Sequence, residues 1–275
     1  MKNWIYKQAI RGLERSSPQD LIKKSQEKLL NTVNTTLRTS KLYKAHCDAQ
    51  GKSITAVQNL DDFRSNIPLL QKTDYFSNNS GQSQFSIIQN QIKNLPPSSF
   101  LLSSGASGAF SFGISNAKET KQNERYIDLM FDYFFDTIRY RTLVINCFSH
   151  IAVPNLSTST IDIGNRADAL IYALENISPS FDQTLIIGDP LFLKNSLEDG
   201  SSRIDYSQHR IHLVVGGVFL PENLRQYLHH LLNANRDGAE ATHILSSMGI
   251  SELGLNVFFE SKELAALRKH LITNE

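Results

Sequence analysis

The chain has 275 residues, 40% of them hydrophobic and 20% charged, enough apolar sequence to bury the core of one large domain or two small ones. Lys plus Arg number 28 against 27 for Asp plus Glu, a net charge of +1, so composition offers no electrostatic attraction to nucleic acid or to an anionic membrane. The most apolar long stretch, 127–145, is broken by Asp128, Asp132, Asp136, Arg139 and Arg141, which excludes a membrane span there.

Residues 1–17 are basic and lack the continuous apolar run of a secretory signal. With Cys47 and Cys147 as the only cysteines, no disulfide framework is expected, and a reducing, cytoplasmic location fits. Ser17-Pro18-Gln19-Asp20 reads as a helix start, followed by Leu21, Leu29, Leu30, Val33 and Leu37 at roughly helical spacing. A further short helix is predicted from Asn59, ending before Pro68. Residues 1–66 are therefore expected to form a helical amino-terminal segment. Residues 77–84, rich in Asn, Ser, Gly and Gln, read as a loop, and Pro96-Pro97 as a second break before a short strand at Phe100-Leu101-Leu102.

Beyond this point the pattern alternates. Helices are predicted over 127–139, 167–174, 190–197 and 221–233, and apolar strand-like runs over 142–147, 184–188, 211–216 and 243–246. Short Val/Ile/Leu runs separated by helices are the signature of buried parallel strands joined by crossover helices. The expected fold class is α/β, with 67–275 as its main portion. Leu264, Leu267 and Leu271 mark one more amphipathic helix near the end.

Three segments follow predicted strands, where α/β proteins place ligands. Ser103-Ser104-Gly105-Ala106-Ser107-Gly108 is a loop whose small residues and hydroxyls can wrap phosphate oxygens, although it lacks the Gly-Lys-Ser/Thr ending of a Walker loop. Val214-Val215-Gly216-Gly217-Val218 either lets a flat ligand approach the backbone or is merely a tight strand-to-helix turn. Ser246-Ser247-Met248-Gly249-Ile250-Ser251-Glu252 ends in a carboxylate that could hold Mg²⁺, or that simply caps a helix or faces solvent.

The order of these segments resembles the adenylate-forming superfamily of acyl-CoA ligases, luciferases and peptide-synthetase adenylation domains, and most of all its phenylacetate–CoA ligase branch. Ile67-Pro68-Leu69-Leu70-Gln71-Lys72-Thr73-Asp74 is similar to that branch's PLLTKED-like motif. Gly216-Gly217-Val218 sits where the family has Gly-Gly-Glu, and Met248-Gly249-Ile250-Ser251-Glu252 where it has Tyr-Gly-x-Thr-Glu. The resemblance implies a large-domain α/β fold that activates a small carboxylic acid with ATP and Mg²⁺, coenzyme A being a candidate acceptor. It further implies that Ser103, Ser104, Gly105, Ala106, Ser107 and Gly108 bind ATP phosphates. Gly216, Gly217, Met248 and Gly249 would border adenine, Ser251 would meet the α-phosphate and Glu252 would hold the metal.

The departures are specific. Val218 removes a carboxylate, Met248 replaces the ring that stacks on adenine, and Phe110 and Ser111 replace Pro and Lys. Each weakens nucleotide binding by about 1 kcal/mol on the scale of a hydrogen bond or an aromatic contact. The family's ribose-binding Asp, hinge and carboxyl-terminal lid domain with its catalytic Lys have no counterpart before Glu275. The expectation is an incomplete amino-terminal part, completed by a missing domain or a second chain, or else a non-catalytic remnant. Adjacent His229 and His230 point to different helix faces, which argues against a metal pair. Cys147 reads as core, the aromatic run at Phe131 and 133–135 as a buried helix face, and Asp189-Pro190 as a strand end and helix start that could also border the substrate.

Overall fold

The computed structural model describes residues 2–71, 74, 92–94, 96, 98–102, 112–149, 153, 157–232, 242–250 and 254–273. Two compact units result, Met1–Ile114 and Ser115–Glu275.

In the first unit four helices follow one another: α1 (Lys2–Arg15), α2 (Pro18–Thr39), α3 (Lys41–Ala49) and α4 (Leu60–Asn66). Their starts are written in the sequence. Ser17 caps α2 by accepting from the Asp20 amide at 3.1 Å, with Pro18 at the first helical position. Ser40 and Asn59 cap α3 and α4 in the same way. Leu37, Cys47 and Val57 form a small core, bordered by Leu30, Val33 and Phe63. Asn34 ties that core to the loop before α4, donating to the Val57 carbonyl at 2.9 Å and accepting from its amide at 2.7 Å. Strands β1 (Ser98–Leu102) and β2 (Phe112–Asn116) pair with each other.

The second unit opens with α5 (Ala117–Phe135), which starts ten residues before the predicted boundary at 127. Its first half is polar and carries no apolar stripe. A capping box supplies the start instead: Asn116 accepts from the Glu119 amide while Glu119 accepts from the Asn116 amide. Then come β3 (Thr142–Asn146), β4 (Ser159–Asp162), α6 (Ala167–Asn176), β5 (Gln183–Gly188), α7 (Pro190–Gly200), β6 (Ile211–Val215), α8 (Glu222–Leu231), β7 (Ile244–Ile250), β8 (Gly254–Phe259) and α9 (Lys262–Thr273).

These strands form one six-stranded sheet in the order β4-β3-β5-β6-β7-β8, parallel except for β8. Alternation along each strand divides the core in two. Leu143, Ile145, Ile186 and Leu213 face one way and pack with Leu170, Leu193 and Leu228 from α6, α7 and α8. Val144, Leu185, Ile187 and Val214 face the other way, against Ile127, Phe131, Phe134 and Phe135 of α5. Buried to this degree, each large aliphatic side chain contributes roughly 1.5–3 kcal/mol over leaving it in water. Tyr133, within the aromatic run read as buried, is instead 44% exposed. It sits off the stripe that its neighbours at 131, 134 and 135 share. No described helix is long and apolar enough to cross a membrane.

The strand order has a functional consequence. The chain steps from β3 outward to β4, then returns past β3 to β5 and continues the other way. In open parallel sheets, ligands bind outside the carboxyl ends of strands near such a reversal.

Candidate functional site

At the carboxyl ends of β3, β5 and β6 the chain presents Asn146 to Ser149, Gly188 with Asp189, and Gly216 with Gly217, and just past the stretch of β7 that pairs with β6 come Ser247 and Met248. Close backbone approach is a requirement here. A Cβ on Gly216 would lie 3.2 Å from the Ser247 hydroxyl and 3.5 Å from the Phe148 ring. Its amide donates to the Gly188 carbonyl at 3.1 Å, fixing the ends of β5 and β6 side by side. Gly217 has φ +86° and is exposed, a backbone state that L side chains rarely adopt. One glycine therefore packs tightly, and the next turns its peptide toward solvent.

Phe148 is the residue that sequence reasoning missed. Its ring lies against both Gly216 and Gly217, with a Cβ at Gly217 falling 3.5 Å away. Its amide donates to Asn146 Oδ1 at 3.1 Å, and Asn146 Nδ2 donates to Asp162 Oδ1 at 2.7 Å. One buried asparagine thus holds both the turn after β3 and the edge strand β4. The available signal was weak: an aromatic residue just past a buried strand.

Exposed apolar side chains surround this shelf, with Val218 and Met248 each 55% exposed and Phe219 75%. Cys147 is buried, and desolvation pushes its thiol up to about 12, so it is packing and not a nucleophile. Gly188 has its own close neighbours, Cys147 Cβ and Leu193 at 3.1 Å from a Cβ placed there. Asp189 accepts from the amides of Leu191 and Phe192, so it serves as the cap of α7.

Behind the shelf lies a charge network that no local sequence pattern announces. Arg225 donates to Glu222 at 3.0 Å and to both oxygens of Glu260, at 3.0 and 2.8 Å. It also donates to the Ile244 carbonyl. Glu260 accepts from the Ser246 amide at 2.9 Å and from Arg268 at 3.0 Å. Arg268 in turn donates to the Leu220 carbonyl at 3.0 Å and stacks over Phe219 at 5.1 Å. A charge-assisted arginine–carboxylate pair away from water, here one guanidinium nitrogen shared between both Glu260 oxygens, fixes geometry well. Here it ties α8, β7 and α9 together and props the 218–220 segment from behind.

Gly216, Gly217, Met248 and Gly249 are thus brought to one edge of the sheet. Ser103, Ser104, Gly105, Ala106, Ser107 and Gly108, together with Ser251 and Glu252, lie outside the described residues. Lys72 and Thr73 of the PLLTKED-like segment, and Phe110 and Ser111, do as well.

The geometry can be set beside solved structures. An open conformation of 2-hydroxyisobutyryl-CoA ligase, solved in complex with 2-HIB-AMP and CoA, aligns over 82% of this chain with a TM-score of 0.59 at 10% identity. The fold is similar to that of an adenylate-forming acyl-CoA ligase. The α/β expectation therefore stands, and the chain spans about half of that ligase, 49% of its length. A luciferase-like enzyme from the nonluminescent mealworm Zophobas morio aligns more loosely, with a TM-score of 0.39, 16% identity, 64% of this chain and 39% of that one. No protein-family model matches the chain, and no curated protein does.

Proposed function

We propose that this chain is the nucleotide-binding portion of an ATP-dependent enzyme that activates a small carboxylic acid as an acyl-adenylate. The observation that carries the reading is the glycine shelf at the carboxyl edge of a parallel sheet whose fold is similar to that of a CoA ligase. On this reading adenine rests beside Gly216, Gly217, Met248 and Gly249. Ser103, Ser104, Gly105, Ala106, Ser107 and Gly108 hold phosphates, Ser251 meets the α-phosphate and Glu252 holds Mg²⁺. When bound, the metal supplies charge neutralisation at the phosphate oxygens, and the amides and hydroxyls of the loop add fixed donors. The finer parts of the reading, taken from the sequence motifs, are a phenylacetate–CoA ligase-like branch, transfer to a thiol such as coenzyme A, a cytoplasmic setting and a division at 66/67.

A second reading has its own support: a non-catalytic remnant, or one chain of a split ligase. Val218 and Met248 both stand exposed on the shelf where the superfamily keeps a carboxylate and an aromatic ring. Acid-dependent exchange of labelled pyrophosphate into ATP separates the two. Exchange by this chain with any acid of a broad panel upholds the enzyme reading. Exchange that appears only when a second polypeptide is added upholds the split ligase. Its absence in both cases, with the protein folded, upholds the remnant.

A further inference from the structure

Between β6 and α8 the chain runs from Gly216 to Pro221 without regular structure. The Gly216 amide is bonded to Gly188, and the Pro221 carbonyl accepts the Arg225 amide of α8. The exposed part lies between these ties: Gly217, Val218 and Phe219 face solvent, and Leu220 is buried. Pro221 precedes α8 without a side-chain cap bond, so the helix start adds no anchor of that kind to the turn.

Arg268, on α9 and 48 positions from Leu220, reaches the turn instead. Its guanidinium donates to the Leu220 carbonyl and to Glu260 Oε1, each at 3.0 Å, and lies over the Phe219 ring at 5.1 Å. Glu260 is itself fixed. It accepts from the Ser246 amide at 2.9 Å and from Arg225 at 2.8 Å, and its own amide donates to the Ser246 carbonyl at 2.8 Å. Ser246 directly precedes Ser247, the residue that meets Gly216 from the β7 side. The two sides of the shelf therefore hang from one carboxylate, the β7 side directly and the 217–220 turn through Arg268.

We propose that Arg268 is a positioning residue for the nucleotide. It holds the 217–220 turn at a set distance from Ser247 and Met248, and so fixes the surface that receives the base. The inference rests on the reading of the shelf as a base site. Three features fit this role better than a contribution to stability alone. The Arg268 side chain is 25% exposed, at the rim of the network, and Glu260 keeps Arg225 when Arg268 is lost. The contacts need an arginine: one nitrogen serves the carboxylate, another the carbonyl, and the guanidinium plane covers a ring, whereas an ammonium offers charge without the fork. Phe219 is 75% exposed, so the contact orders a side chain that burial does not hold. A ligand that meets a turn already held in place loses less free energy to ordering it, and binds more tightly.

Calorimetric titration of the full chain with Mg·ATP tests this in the wild type, Arg268→Lys and Arg268→Gln. Mg·tripolyphosphate, which carries phosphates and no base, is the comparison probe. Both variants are expected to bind Mg·ATP about tenfold more weakly, on the scale of one hydrogen bond from a charged donor. Both are expected to bind Mg·tripolyphosphate as the wild type does. Hydrogen exchange across 214–221 is expected to be faster in both variants, with α8 and the sheet unchanged. Wild-type binding of Mg·ATP that either variant matches overturns the inference and leaves the reading of the shelf standing. An equal loss for Mg·tripolyphosphate also overturns it, because the charge of Arg268 would then act on the phosphates. So does exchange that rises throughout 115–275, which would reduce Arg268 to a stability contact. A folded wild type that binds no Mg·ATP ends the reading of the shelf itself, and this inference with it.

Discussion

The two ends of the sheet solve different problems. At the carboxyl ends of β5 and β6 the chain uses Gly188, Gly216 and Gly217, ties Asp189 into the cap of α7, and leaves Val218, Phe219 and Met248 in solvent. Toward the amino ends of β6 and β7 it gathers His212, His243, Arg210 and Lys262, with the Arg225–Glu260 pair buried behind. One end exposes backbone and apolar surface, as a site for a flat ligand must. The other is organised by charge and by imidazoles kept neutral. The difference teaches that this sheet's stability and its candidate nucleotide chemistry rest on different residues, joined where Glu260 and Arg268 hold Ser246 and Leu220.

The sharpest way to break the comparison is at Arg225. Replacing it with Ala strands Glu222 as a buried carboxylate and leaves Glu260 with Arg268 as its one cationic partner among the described residues, and breaking a buried pair in this way costs about 3–5 kcal/mol. Urea unfolding should show a loss of that size; a change below about 1 kcal/mol, as for an exposed pair, would mean that the network is solvated. Gly200→Ala should come next. A Cβ there would fall 2.5 Å from the Tyr206 hydroxyl, which donates to the Leu197 carbonyl at 2.8 Å. Overpacking of this kind costs about 1–3 kcal/mol, read in the same assay.

Acid is the gentler probe. His212, His229 and His243 all have folded-state values depressed below the ordinary 6.5. The unfolded chain therefore binds more protons below that pH. Stability is full above about 6.5 and declines as pH falls toward 4, with a limiting slope of about 1.4 kcal/mol per pH unit for each titrating imidazole. The slope is smaller for the partly exposed His229 and His243. His212→Gln should flatten the profile. A stability that is level between pH 7 and 5 would contradict the neutral-imidazole account.

Much of this was legible beforehand, for identifiable reasons. The strands at 142, 184 and 211 are fully buried and so are written as unbroken apolar runs. The caps at Ser17 and Asn59 are local chemistry. What escaped was either unburied or distant. β4 is a four-residue edge strand, Ser-Thr-Ile-Asp, mostly exposed and without a pattern. β8 pairs antiparallel behind a stretch that reads as a ligand turn. Arg225 and Glu260 meet across 35 positions, and no local spacing encodes that. Of the site, the glycine pair was visible because a backbone requirement is carried by residue type. Phe148 was not, because an aromatic after a strand is equally at home in any core.

The central claim, that the glycine shelf receives a nucleotide base, is tested most directly by calorimetric titration with Mg·ATP of the wild-type chain, Met248→Tyr and Glu252→Ala. The account expects saturable binding by the wild type, about fivefold tighter binding with Met248→Tyr as the restored ring contributes roughly 1 kcal/mol, and weaker binding with Glu252→Ala. Absence of binding by wild type and Met248→Tyr alike, with both folded, would contradict it.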